Sequence, residues 1–256
     1  MQWFHAALFG IVEGITEFLP ISSTGHLILT ARFIGFEQTE FLKSFEIAIQ
    51  FGAILSVVAL YWRTLFLRKE VLARVVVAFV PTAVIGFVLY KIVKAVFLGN
   101  DAIVLTALFL GGILLIIFER FHHESEDAVT DPGALTYRQA FAIGVFQSFA
   151  VVPGVSRSAA TILGGLLLGV KRIAIVEFSF LLAVPTMLAA TSLDLFRTAR
   201  IFTNDEVILL LTGFVTSFLV ALLAIKFLLR YIARHDFTAF GVYRIILAVL
   251  FWFFVL

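Results

Sequence analysis

The sequence has 256 residues, of which 62 % are hydrophobic and 30 are phenylalanine, whereas a soluble domain is roughly 45–50 % apolar. The net charge of only +2 gives no support for nucleic-acid binding, and the lack of cysteine excludes disulfides and cysteine-based zinc sites. The composition therefore predicts an integral membrane protein without a nucleic-acid partner.

The first predicted element, residues 1–36, is an apolar stretch interrupted at 13–26 by the polar sequence EGITEFLPISSTGH. Pro20 disfavours helix at the preceding residue and lacks a backbone donor, so a first half-helix should end there. Ser22, Ser23 and Thr24 are suited to cap a second half-helix, whose N-terminal N–H groups would attract an anion. Polar groups are costly in hydrocarbon, so this interruption is a candidate functional site.

Six apolar segments approach or exceed the roughly 20 residues that a helix needs to cross a bilayer. They are 45–62, 75–97, 103–118, 173–195, 207–229 and 239–256. We therefore expect an all-α polytopic membrane protein with six transmembrane helices.

A second polar interruption, QSFAVVPGVSRSAAT at 147–161, separates the first three spans from the last three. Pro153 and Gly154 again interrupt the helix shortly before a serine, Ser156, that can cap the next one. Two half-helix N-termini that converge on one cleft would favour phosphate. The residues expected to bind it are Ser22, Thr24, Gly154, Ser156, Arg157, Ser158 and Thr161, although Thr161 could instead bond within its own helix.

The two interruptions form an internal repeat, because Gly10, Glu13 and Ser22 match Gly144, Gln147 and Ser156 at a constant offset of 134 residues. Three spans follow each interruption, so the halves should have opposite orientations in the membrane, as in many transporters. This requires that 1–36 and 137–170 are re-entrant helical hairpins that do not cross the bilayer. One domain, 1–256, would then contain inverted repeats of about 1–120 and 137–256, joined by the loop 119–137.

Basic residues predict the orientation of the chain. Segments 63–74 and 226–235 are rich in lysine and arginine and should face the cytoplasm. The turn at 99–101 lacks them and should lie outside, as should both termini, whereas the connection 197–206 is ambiguous. The pair His122 and His123 in the joining loop is interpreted as solvated, because no third metal ligand has a suitable spacing.

Glu13 and Glu17 are four residues apart and share one helix face. Two carboxylates there suggest a divalent cation, a proton relay or a group that orients a histidine. Magnesium fits a site that also holds phosphate, because it binds one or two carboxylates together with phosphate oxygens and water.

Arg157, Ser23 and His26 carry the remaining chemistry. The guanidinium fork of Arg157 matches two phosphate oxygens, although it could instead reach the membrane surface or pair with Glu13 or Glu17. His26 lies one turn after Ser23, so the imidazole could activate the hydroxyl as a nucleophile. His26 could also attack phosphorus itself or act as a general acid.

The motifs EGITEFLPISSTGH at 13–26 and PGVSRSAAT at 153–161 closely resemble the two signatures of the undecaprenyl-diphosphate phosphatase family, also known as bacitracin-resistance proteins. The resemblance extends over nearly the whole chain, including FEIAIQFGAILSVV at 45–58, TYRQAFAIGVFQ at 136–147 and EFSFLLAVP at 177–185.

This resemblance implies hydrolysis of the terminal phosphate of a polyprenyl diphosphate, with Mg²⁺ or Ca²⁺, in the bacterial cytoplasmic membrane. The product would be the lipid carrier for cell-wall synthesis, and the site would open to the periplasmic side. The implied catalytic set is Glu13, Glu17, Ser23, His26 and Arg157, with Ser156, Ser158 and Thr161 beside it. The spans would contact membrane lipid and the substrate tail. Formation of a homodimer is left as an open alternative.

A secondary transporter or polyprenyl-phosphate flippase is the competing interpretation, because inverted repeats with broken helices are typical of transporters. A transporter needs an anion site but no nucleophile. The neighbouring Ser23 and His26 therefore favour an enzyme.

Overall fold

The computed structural model describes residues 1–37, 39–92, 100–197 and 202–255. Gly99 of the predicted turn and residues 198–201 of the connection 197–206 lie outside these ranges. The α-helices are α1 (Trp3–Thr16), α2 (Ser23–Ile34), α3 (Glu40–Leu67), α4 (Lys69–Ile92), α5 (Asp101–Phe121), α6 (Tyr137–Ser148), α7 (Arg157–Leu167), α8 (Arg172–Arg197), α9 (Asn204–Ile232) and α10 (Thr238–Val255), with short 3₁₀ helices at Pro132–Ala134 and Phe149–Val151.

Within the described ranges, five helical segments are long and apolar enough to cross a membrane: Glu40–Leu67, Lys69–Leu89, Asp101–Phe121, Arg172–Ser192 and Asn204–Ile232. They correspond to five of the six predicted spans, although residues 93–97 of the second lie outside the described ranges. The sixth predicted span corresponds to α10, a shorter apolar helix of 18 residues. The protein is thus an all-α, multi-pass membrane protein.

The helices form two sets of five, each with two short helices followed by three longer ones. The first helix of each set packs on the fourth helix of the other, α1 on α9 and α6 on α4. The third helices behave likewise, since α3 contacts α9 and α8 contacts α4, while the two fifth helices, α5 and α10, pack on each other. Each of these contacts between a helix of the first set and one of the second therefore has an equivalent contact in which the two sets are interchanged.

Glycines of the predicted repeat permit two of these close contacts. A Cβ atom at Gly10 of α1 would lie 2.6 Å from the Gly213 carbonyl oxygen of α9, and one at Gly144 of α6 would collide with the Ala78 carbonyl of α4. Small residues allow membrane helices to approach closely. The matched glycines therefore bring each short helix onto its partner.

The turn between α1 and α2 lies in the main buried cluster. Phe18, Leu19 and Ile21 of this turn pack with Ile162 of α7 and Phe180 of α8, and the rings of Phe18 and Phe180 meet edge to face at 5.4 Å. Non-helical backbone is tolerated in a membrane protein when it is buried in protein. This packing places the first polar motif in the protein interior.

Candidate active site

The first motif breaks the helix near the predicted position. α1 ends at Thr16, residues 17–21 form a turn, and α2 starts at Ser23. The predicted break is confirmed, but helix α1 ends four residues before Pro20 because the turn itself occupies Glu17 to Ile21. Ser22 caps α2, and its Oγ accepts a hydrogen bond from the Gly25 amide at 3.4 Å.

The second motif repeats this arrangement. α6 ends at Ser148, and Gly154 adopts a φ of 91° before α7 begins. A Cβ atom at Gly154 would lie 2.5 Å from the Val104 carbonyl oxygen of α5, so both the backbone and the packing require glycine there. Ser156 caps α7, as predicted, by accepting a hydrogen bond from the Ala159 amide at 3.2 Å.

The two motifs contact each other. Ser158 Oγ donates to the Leu19 carbonyl oxygen at 2.9 Å. Arg244 of α10 donates to the Pro20 carbonyl at 3.3 Å and to the Gly154 carbonyl at 3.1 Å. The interruptions therefore belong to one site, as the sequence predicts.

Glu17 is the centre of this site. Ser23 Oγ donates to Glu17 Oε2 at 2.5 Å, and Arg157 Nη2 donates to Glu17 Oε1 at 3.0 Å. Arg157 Nη1 also donates to the Ser179 carbonyl oxygen at 3.0 Å. One carboxylate thus joins a serine hydroxyl from the first motif to a guanidinium from the second, in agreement with the alternative that Arg157 pairs with Glu17.

Arg157 retains binding capacity for an anion. Its buried Nε has no hydrogen-bond partner among the described residues. An orphaned guanidinium donor is costly, and a phosphate oxygen could accept from it. Since Arg157 is also the first residue of α7, it lies at the positive end of that helix.

His26 does not contact Ser23 as expected. Its Nδ1 lies 2.7 Å from the Ser22 carbonyl oxygen, and its Nε2 lies 2.7 Å from the Tyr243 hydroxyl. The structure therefore shows no hydrogen bond between the described side chains of His26 and Ser23, and the activation of Ser23 by His26 stays a prediction. Side chains on a helix lean toward its N-terminus, which brings His26 to the Ser22 carbonyl, while Ser23 reaches the carboxylate of Glu17.

Glu13 is fully buried, and no N–H or hydroxyl group of the described residues donates to its carboxyl oxygens, while the carboxyl group of Glu17 lies beside it. Glu13 lies one turn before Glu17, and Glu46 of α3 adds a further negative charge nearby. No group of three or more histidine or acidic residues in the described ranges could hold a metal ion. The orphaned carboxylate suits a cation whose other ligands are phosphate oxygens and water.

The remaining predicted residues differ in their positions. Ser156 Oγ lies 3.2 Å from Ser158 Oγ. Thr161 Oγ1 lies 2.9 Å from the Arg157 carbonyl oxygen of its own helix and 3.3 Å from Gln147 Oε1 of α6. Thr24 is exposed and lies away from the contacts at Glu17.

Sequence reasoning missed Arg244 and Tyr243. Arg244 is 1 % exposed, and besides the two motif carbonyls its guanidinium binds those of Ala107 and Leu108 at 3.1 and 3.3 Å. The signal was the same as for Arg157, a guanidinium inside an apolar segment. Tyr243 carried no comparable signal, because tyrosine is common in membrane helices near the interface.

Comparison with known proteins shows the family of this chain. Residues 6–250 match the family model described as "Bacitracin resistance protein BacA". Proteins named undecaprenyl-diphosphatase from Aquifex aeolicus and Persephonella marina are 50 % and 52 % identical to this chain, over 98 % of its length and 97 % and 98 % of theirs. A third, from Sulfurihydrogenibium, is 50 % identical over 98 % of this chain and 99 % of its own. The chain therefore belongs to the bacitracin resistance protein BacA family.

Proposed function

We propose that this protein is a membrane phosphatase that hydrolyses undecaprenyl diphosphate to undecaprenyl phosphate and inorganic phosphate. The names of its relatives support the substrate. The product is the lipid carrier used in cell-wall synthesis, and the family description connects the activity with bacitracin resistance. The structural observation that carries the proposal is the chain of contacts from Ser23 through Glu17 to Arg157.

In the proposed reaction Ser23 is the nucleophile and Glu17 its base. Ser23 Oγ attacks the terminal phosphorus, its proton passes to Glu17 Oε2, and the phosphoanhydride bond breaks to release the lipid monophosphate. Water then hydrolyses the phosphoserine, which yields inorganic phosphate and restores the hydroxyl. A short hydrogen bond to a carboxylate is the contact that such proton transfer requires.

Arg157 stabilises the charge of the terminal phosphate in this scheme. Its buried Nε has no partner to give up among the described residues, and its Nη2 can turn from Glu17 to a phosphate oxygen. Donors that are in place where charge develops contribute strongly to catalysis. The N-terminus of α7, where Arg157 is the first residue, supplies further positive potential.

Glu13, together with Glu17, would hold a divalent cation such as Mg²⁺ or Ca²⁺. When bound, the cation would neutralise negative charge on the diphosphate. The buried oxygens of Glu13, to which no group of the described residues donates, support this assignment.

An apolar groove of about 930 Å³ between α5 and the second motif suits the isoprenoid tail. Its walls include Leu110, Phe149 and Leu163, and it reaches Ser156 at the N-terminus of α7. A lipid whose diphosphate lies at that N-terminus could place its first isoprene units there. The groove thus starts at the N-terminus of α7 and continues between apolar side chains.

We further propose the inverted topology, with both hairpins re-entrant. Arg32, in the last turn of α2, pairs with Asp101 at the start of α5. By contrast, the second hairpin begins beside the joining loop, where Arg68 pairs with Asp131 and Arg74 binds the Leu135 carbonyl. The first hairpin thus ends beside the start of α5, whereas the second begins beside the start of α4. Since successive membrane helices start at opposite faces, these contacts support entry of the two hairpins from opposite faces.

The direct test is phosphate release from purified protein in detergent with a polyprenyl diphosphate, with and without a chelator. We expect release that stops with the chelator and resumes with Mg²⁺ or Ca²⁺. No release under conditions in which an established phosphatase works would refute the proposal. A flippase remains the competing function, because inverted repeats with broken helices are typical of transporters. A flippase function would, however, leave the contact between Ser23 and Glu17 unexplained.

A further inference from the structure

The imidazole of His26 is held from both sides. On one side its Nδ1 lies 2.7 Å from the Ser22 carbonyl oxygen, and on the other its Nε2 lies 2.7 Å from the hydroxyl of Tyr243. The two rings are nearly parallel, with an interplanar angle of 6° and centroids 5.5 Å apart. Both nitrogens therefore have protein partners before any substrate binds.

The chemistry of the partners fixes the tautomer. A carbonyl oxygen can only accept a hydrogen bond, so Nδ1 must carry the hydrogen. A neutral His26 then has its lone pair on Nε2, and the Tyr243 phenol donates to it. The basic nitrogen of His26 is thus directed toward α10 and away from Ser23.

The position of Tyr243 is itself fixed by its neighbour in the chain. Arg244 binds the carbonyls of Pro20 and Gly154, and therefore ties α10 to both motifs. It is also the charged residue that faces His26. Because α10 is anchored in this way, Tyr243 meets the imidazole in one register.

Tyr243 also separates His26 from the surroundings. Tyr243 is 42 % exposed, whereas His26 is only 7 % exposed. Any group that approaches Nε2 from outside must share this nitrogen with the phenol or displace it. Tyr243 thus controls which partner His26 can have.

We infer that Tyr243 is a positioning residue for His26, which fixes the imidazole as the Nδ1–H tautomer and presents Nε2 on the α10 side of the site. The inference rests on the proposed phosphatase function for its kinetic consequences, but the contact between the two residues does not depend on it.

The test combines kinetics and ¹⁵N NMR of histidine-labelled full-length protein in detergent, with His26→Gln to assign the signals. Tyr243→Phe should lower kcat for polyprenyl diphosphate with little change in KM, because His26 belongs to the catalytic set that the family resemblance implies and would lose the partner that orients its ring. We expect a loss of about 10- to 100-fold, as for the outer partners that orient metal-binding histidines. In the wild type, Nε2 of His26 should give the signal of an unprotonated, hydrogen-bonded nitrogen, and Tyr243→Phe should shift it.

Tyr231→Phe is the matched control, because the Tyr231 ring also stacks on a histidine, His235, at 4.6 Å but lies on α9 outside the site. It should keep wild-type kcat and leave the His26 signal unchanged. Wild-type kcat in Tyr243→Phe, or a His26 signal that this variant does not move, would overturn the inference. If the wild type released no phosphate, the proposed function would fail, while the NMR signal would still decide the contact.

Discussion

Glu17 and Arg157 are 140 residues apart in the chain, and their side chains form an ion pair of 3.0 Å in the protein interior. Each comes from a broken helix in a different half of the molecule. The ion pair makes the site dependent on both halves, since neither half contains both a carboxylate and a guanidinium at this point.

Replacement of Arg157 by lysine keeps the charge but removes the planar fork. We expect kcat/KM for polyprenyl diphosphate to fall by at least about 100-fold, because one ammonium cannot replace several directed donors. Arg63→Lys, at an exposed position of α3, should have wild-type activity. Full activity of Arg157→Lys would show that a point charge is enough.

Glu13 and Glu17 should have different roles when each is changed to glutamine. Glu13→Gln should raise the cation concentration for half-maximal activity by about 10-fold or more and leave activity largely restored at saturating cation. Glu17→Gln should lower kcat by about 100-fold or more at any cation concentration, because the proton acceptor of Ser23 is lost. Glu37→Gln, an exposed substitution, is the control. If added cation restored Glu17→Gln, Glu17 would act only as a cation ligand and not as the base of Ser23.

Much of this arrangement could be predicted from the sequence. The apolar runs indicated the spans, and Pro20, Pro153 and the serines after them indicated two broken helices with capped N-termini. The offset of the repeat indicated that the breaks belong together. These features are local or periodic, and local backbone chemistry determines them.

The partners of the side chains could not be predicted in the same way. Tyr243 is 217 residues from His26, and spacing along α2 says nothing about which helix packs beside it. The spacing of Ser23 and His26 made a direct contact between them plausible. In the structure the Ser23 hydroxyl instead binds the Glu17 carboxylate, and the His26 imidazole binds the Ser22 carbonyl. Only the packing of α1 and α10 decides between these partners.

The packing of α1 on α9 can be tested by stability. Gly10→Ala should destabilise the protein by about 1–3 kcal/mol, because the added methyl group forces the two backbones apart. Gly86→Ala is a helical control with open space around its Cβ position, and it should be neutral or slightly stabilising. The measurement is unfolding of both variants in detergent. Equal stability of the two would contradict the close contact.

The joining loop should give a dependence of stability on pH. The Arg68 guanidinium and the Gly133 amide hold the pKa of Asp131 below its ordinary value. The folded protein thus binds this proton less readily than the unfolded chain, whose aspartate pKa is about 3.9. The contribution of these Asp131 contacts to the free energy of unfolding is complete above that pH. It is lost as the pH falls through the lower pKa of Asp131 in the folded protein.

Asp131→Asn should therefore slightly lower the midpoint temperature of unfolding at pH 6, because an ion pair that is only partly buried contributes little. The difference from wild type should shrink below about pH 4. Asp127→Asn, in the same loop and exposed, should follow the wild type at each pH. A difference that grows on acidification would have the wrong sign for a lowered pKa.

The most direct test of the account is to trap the intermediate with a polyprenyl diphosphate that carries ³²P in the terminal phosphate. Phosphoserine survives an acid quench, whereas phosphohistidine survives only an alkaline one, so paired quenches distinguish the two nucleophiles. We predict an acid-stable label on the peptide that contains Ser23, formed before phosphate release and absent from Ser23→Ala. A label that persists in Ser23→Ala, or that is stable only in alkali, would contradict the assignment of Ser23 as the nucleophile that Glu17 activates.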